Sequence, residues 1–237
     1  MTSPPVPPMD LPPRLRTAVQ GVVVILAITV VVFGAALALL LTAGDPAARL
    51  PIVVVPALLV HTVLAGTALI VIVRRSPTTF RSIGFTKPTA RLWHLLWQVP
   101  VIITVAVLVQ VATSVLTSGA SEDAGGSIDS LLTGTSGTTV VVLVVTLAVL
   151  VPFWEETLFR GLIFTSTRAR WGTGVATAVT ALLFAIAHGI PILLPYYVTL
   201  GFALSLLRIF HRSIWGPLVL HVTINTIAST AVLTTLG

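Results

Sequence analysis

Six polar residues draw attention because of where they fall. The run Val151-Pro-Phe-Trp-Glu155-Glu156-Thr-Leu-Phe-Arg160 sets two carboxylates and a guanidinium inside an otherwise apolar stretch. Glu156 and Arg160 are four residues apart, the spacing of an ion pair along one helix face, and read as a structural clamp. Glu155 is turned about 100° from them and is left without that partner. An unpaired carboxylate in low-dielectric surroundings tends to hold or take a proton, which suits general acid–base chemistry. Two later stretches add Phe184-Ala-Ile-Ala-His188 and His221-Val-Thr-Ile-Asn225, the second with imidazole and carboxamide a turn apart on one face. Three separate helices each bringing a protic group is what a bundle-core site requires. His61, alone in another apolar run, reads as a core histidine with its hydrogen bonds met. His94 and His211 read as solvated interfacial groups.

The elements that carry these groups follow from composition. Of 237 residues, 56 % are hydrophobic and only 8 % charged, against ~25 % charged in soluble proteins. With a mean hydropathy of +1.07, there is too little polar side chain to cover a water-facing surface. The chain belongs in a bilayer. No cysteine is present, which excludes disulfide frameworks, thiolate metal sites and cysteine nucleophiles. The net charge of +6 does not signal nucleic acid, because the basic residues lie between apolar runs rather than in one patch.

Apolar runs long enough to span, or nearly so, lie at Val19–Leu41, Ile52–Val73, Leu95–Leu116, Thr138–Phe164, Thr173–His188, Ile192–Leu207 and Ile214–Leu236. The expectation is an all-α, polytopic integral membrane helix bundle of about seven transmembrane helices. Arg14, Arg16, Arg74, Arg75, Arg81, Lys87, Arg91, Arg168, Arg170, Arg208 and Arg212 then fall on one side, and put the N-terminus in the cytoplasm. The expected organisation is a disordered cytoplasmic tail at 1–18 and three helices over 19–117. An extracytoplasmic loop at 118–137 and a catalytic core of four helices at 138–237 complete it. A bacterial plasma membrane is the expected location. Measured along the helices, Glu155 lies about 20 Å from Arg168, but His188 lies about 22–27 Å from its own basic flank. That mismatch needs a tilt or a late helix start.

Glu-Glu-x-x-x-Arg at Glu155–Arg160, Phe-x-x-x-His at Phe184–His188 and His-x-x-x-Asn at His221–Asn225 follow one another on successive segments. In that order they resemble the signature motifs of the CPBP intramembrane proteases. These comprise the type II CAAX prenyl endopeptidases and their bacterial relatives, the Abi or bacteriocin-processing proteins. The resemblance covers Thr138 to Ala231. It implies a hydrolase, an endopeptidase acting on a membrane-associated peptide or protein, prenylated or otherwise lipid-anchored. Glu155 and His188 would activate water, and His221 and Asn225 would stabilise the oxyanion. Glu156, Arg160 and Phe184 would support the site. The family is described both as a zinc-type metalloprotease and as a glutamate-dependent protease. Glu155, His188 and His221 are the three N/O ligands that zinc would take, and no obligatory metal is expected.

Three other readings compete. Gly134-Thr-Ser136-Gly137 matches the Gly-x-Ser-Gly of rhomboid serine proteases, with Ser136 as nucleophile. Intramembrane Glu and His also suit a proton-coupled transporter. A non-catalytic, bacteriocin-immunity-type protein would bind or shield a partner protein and would keep its phenotype in Glu155→Ala.

Overall fold

A computed structural model describes residues 11–42, 44–117 and 136–234. Every regular element among them is helical. The order is α1 (Leu15–Leu41), α2 (Pro46–Arg75), a 3-10 turn (Ala90–His94) and α3 (Leu95–Leu116). Then come α4 (Gly137–Val145), a π turn (Thr146–Leu150), α5 (Val151–Glu156) and a second π turn (Thr157–Ile163). The chain ends with α6 (Phe164–His188), α7 (Leu194–His211) and α8 (Trp215–Thr234).

Helix α1 begins four residues ahead of the expected Val19. Pro12 and Pro13 hold the chain extended up to Arg14 (φ −68°, ψ 146°), and Leu15 is the first residue free to turn. The tail boundary therefore moves from 18 to 14, and residues 1–10 lie outside the described part. Of the loop at 118–137, residues 118–135 lie outside it as well. Ser136 caps α4, its Oγ accepting the Thr139 N–H at 3.3 Å, and Asp45 caps α2 through Ala48 N–H at 3.1 Å.

Five described segments are long and apolar enough to cross a membrane: Leu15–Leu41, Ala48–Arg75, Ala90–Leu116, Gly137–His188 and Pro191–His211. The fourth has 52 residues, about 78 Å of helix against ~30 Å of hydrocarbon. Its backbone breaks at Gly172 (φ 83°, ψ 175°), a conformation essentially reserved for glycine. The chain folds back there. Contacts at the basic end agree. Ile214 N–H donates to Gly84 O at 2.9 Å, Trp215 Nε1 to Thr86 O at 2.9 Å and Arg91 Nη1 to Phe210 O at 2.8 Å. The α2–α3 and α7–α8 connections thus share one side of the bundle. An even number of crossings must separate them, so Gly137–His188 makes two passes. Five segments supply six passes where seven helices are expected; α8, with 20 residues, stands in the place of the last.

Arg81, Lys87, Arg91 and Arg212 line a cavity of about 790 Å³ between those two connections, the charge clustering that fixes orientation in a membrane. His211 departs from expectation. It is buried, with Nε2 on Gln98 Oε1 at 2.9 Å, because α3 and α7 pack directly at that level.

The core sits where α1 and α2 meet the motif-bearing helices: Ala65, Leu69, Leu158, Leu162, Phe184, Leu200, Leu204 and Leu220 are buried together. Glycine permits one close approach, since a Cβ on Gly201 of α7 would lie 2.9 Å from Ala181 Cα of α6.

Candidate active site

The break at Gly172 sets the register of the site. Arg160 and Phe184 each lie twelve residues from it, on either side, and they meet: the guanidinium carbon is 4.5 Å from the Phe184 ring centroid. Phe159 and Phe184 stack edge-to-face at 5.3 Å. Glu155 is seventeen residues before the break and His188 sixteen after it, so the two arrive at one level. The depth mismatch measured from the basic flanks disappears when both helices are measured from their common fold-back point. Gly189, left-handed at φ 64°, then ends α6 directly behind His188.

Three buried groups form a closed relay. Arg160 Nη1 donates to Glu156 Oε1 at 2.8 Å, with both side chains 0 % exposed. Arg160 Nη2 donates to Gly201 O at 3.2 Å, which ties the clamp to α7. His221 Nδ1 lies 2.9 Å from the same Glu156 Oε1, which ties it to α8. With Glu156 ionised against Arg160, Nδ1 is the donor. The other ring nitrogen, Nε2, is 3.7 Å from Glu155 Oε2. His221 therefore stands between the two glutamates.

Glu155 is different. Its Oε2, like that of Glu156, makes no hydrogen bond among the described residues, and the difference lies in what the side chain faces. The residue lines an apolar cavity of about 680 Å³ shared by α1, α2, α5 and the end of α6. His188 lines the same cavity. Its Nδ1 is 2.7 Å from Phe184 O; a carbonyl can only accept, so Nδ1 carries the proton and Nε2 of the neutral ring holds the lone pair. Tyr197 of α7 stacks on the imidazole at 3.9 Å and 27°, which fixes its plane.

Asn225 is placed by a defect in the neighbouring helix. Val151 N–H donates to Thr146 O in the i−5 pattern of a π turn. The next bond in that register would join residue 152 to Leu147 O, but Pro152 has no N–H. Asn225 Nδ2 donates to that freed carbonyl at 2.9 Å. One amide proton holds α8 to the π turn and the other is left over. π turns recur at functional sites, and here both flank Glu155.

All seven residues singled out from sequence thus lie in one region: Glu155, Glu156, Arg160, Phe184, His188, His221 and Asn225. Ser136 does not join them, since it caps α4 nineteen residues, about 28 Å of helix, before Glu155. By donor type, Glu155, His188 and His221 suit zinc, yet among the described residues no three His, Asp or Glu side chains form a group that could hold a metal ion. Sequence reasoning missed Tyr197, Gly201 and the cavity wall built by Val22, Ile25, Thr29, Phe33 and Leu58 of α1 and α2, and it read His61 as a core histidine where the structure puts it on that wall. Gly201 carries no chemistry in its side chain. The wall residues are of types common in any lipid-facing helix, so no local signal marks them.

The fold and site define a polytopic membrane protein with a partly buried Glu–His cluster open to an apolar cavity. Residues 137–227 match the family model described as type II CAAX prenyl endopeptidase Rce1-like. That stretch contains every motif residue above. No curated protein and no solved structure matches the chain.

Proposed function

We propose that the protein is an intramembrane endopeptidase that hydrolyses a peptide bond in a membrane-associated or lipid-anchored substrate. The observation that carries this reading is the contrast at Glu155 and His188. They alone among the motif residues combine an unused acceptor atom with a place on the 680 Å³ cavity. A water between Glu155 and His188 Nε2 would lose its proton to Glu155 as it attacks the scissile carbonyl. Glu155 would then return that proton to the leaving amine. The developing oxyanion would be met by the second N–H of Asn225 and by His221 as an imidazolium, which donates through Nε2 while Nδ1–H stays on Glu156. Removing one such donor costs about 3–4 kcal/mol of transition-state stabilisation in other proteases. Glu156 takes the charge of Arg160, so the guanidinium does not hold Glu155 as a permanent carboxylate partner.

The apolar lining suits a lipid-modified segment, and the Rce1-like match supports a prenylated CAAX tail as the first substrate to test. Peptide termini from membranes of cells carrying wild type or Glu155→Ala decide the matter. A cleavage lost in the variant names the substrate. Identical profiles would overturn the protease reading, and a proton flux in proteoliposomes that vanishes in the same variant would replace it with a transporter.

A further inference from the structure

His61 and Trp154 face one another across the wall of the same cavity, and neither has a role in the chemistry above. Their rings meet edge-on at 5.6 Å and 75°, and both line the cavity together with Glu155, the immediate neighbour of Trp154. Each is more than nine-tenths buried, His61 at 7 % exposure and Trp154 at 9 %.

Hydrogen-bond counting fixes what each offers. The Thr29 hydroxyl has one proton, and Oγ1 donates it to Ile25 O at 2.9 Å. The 2.9 Å contact between Thr29 Oγ1 and His61 Nε2 therefore has the imidazole as donor. In the neutral ring the proton is on Nε2 and Nδ1 is left as an acceptor, with no hydrogen bond among the described residues. Trp154 Nε1–H is buried with no partner. An indole N–H left unmet in an apolar interior is costly and is retained where a ligand meets it. Thr62 Oγ1, on the same wall, is likewise buried and unpartnered.

A lone acceptor beside a lone donor, in an apolar cavity and one residue from the proposed base, matches the two sides of a main-chain amide. We infer that His61 Nδ1 and Trp154 Nε1–H bind the backbone N–H and C=O of the substrate peptide, holding it against the α1–α2 wall while Glu155 acts on a nearby bond. This inference rests on the protease reading and assigns α1 and α2 a part in substrate recognition. Both are positioning residues, because they hold main-chain atoms that do not react.

The test uses the full chain in lipid nanodiscs and a fluorescent farnesylated peptide ending in a CAAX sequence. In a Glu155→Gln background, which binds without cleaving, His61→Phe and Trp154→Phe keep an aromatic ring and remove the proposed partners, His61→Phe losing its bond to Thr29 as well. Each is expected to weaken the Kd about 5- to 10-fold, the value of one net hydrogen bond. In the active background the same changes raise KM with kcat held within about twofold, the signature of uniform binding. His61→Gln, whose carboxamide keeps an acceptor, restores the Kd to within about threefold of the parent and guards against a folding defect. Methylating single backbone nitrogens of the peptide finds one position that weakens binding to the His61 parent and has no further effect on His61→Phe. A protein that cleaves the peptide while both phenylalanine variants keep the parental Kd overturns the pairing alone. A wild type that neither binds nor cleaves it overturns the pairing for this substrate, while the protease reading falls separately, on identical membrane peptide termini in wild type and Glu155→Ala.

Discussion

Glu155 and Glu156 are neighbours in the chain, yet they live in different regions of the molecule. Glu156 spends one oxygen on other helices: Oε1 takes Arg160 and His221, and Arg160 reaches on to the Gly201 carbonyl, while Glu156 Oε2 and Arg160 Nε stay buried with no hydrogen bond among the described residues. Glu155 also keeps one oxygen unbonded, but it is the one of the two that lines a cavity. A rotation of about 100° along the helix separates them. The difference teaches that a pair of identical acids can divide the labour of a site. One gives up its charge to hold three helices together, and the other stays available.

Substitutions can break or sharpen this division. The largest effect is expected at the open side. Glu155→Gln should lower the cleavage rate by about 10²–10⁴-fold, the range for a lost general base, while thermal unfolding in detergent stays near that of wild type. A comparable loss of thermal stability would show that Glu155 is structural too. On the closed side the order reverses. Arg160→Ala leaves Glu156 buried without its guanidinium counter-charge and should cost about 3–5 kcal/mol of stability, read as a large drop in melting temperature. Replacing both partners, Glu156→Gln with Arg160→Met, should recover much of that loss, because the desolvation penalty goes with the charges. Asn225→Ala is intermediate. It strands the Leu147 carbonyl beside Pro152, at about 1–3 kcal/mol, and activity and stability should both fall. The smallest change is expected from Tyr197→Leu, which removes the stack on His188 at about 0.5–1.5 kcal/mol. Activity should drop several-fold with little change in melting.

The site was legible from sequence to the extent that its residues are anomalous. Charges and imidazoles in apolar runs announce themselves, and Glu156 and Arg160 meet because i,i+4 spacing on a helix permits little else. The bundle class followed from composition for the same reason. Tertiary partnerships did not follow. That His221 reaches Glu156 across 65 positions depends on how α8 is rotated, and helix spacing says nothing about which neighbour a face meets. His211 was misread because a histidine beside Arg208 and Arg212 looks interfacial until α3 brings Gln98 to it. The use of Leu147 by Asn225 was hidden more deeply. A proline announces a missing N–H, but the carbonyl it frees depends on whether the helix is wound in the α or the π register.

The fold-back at Gly172 acts as a ruler. Its two arms, twelve residues to Arg160 and twelve to Phe184, are graduated in the same unit, and the motifs are read off at matching marks. One residue inserted into either arm would shift that motif about 1.5 Å along the helix and turn it about 100° off the shared face. The chemistry of this protein is thus tied to a length as firmly as to its side chains.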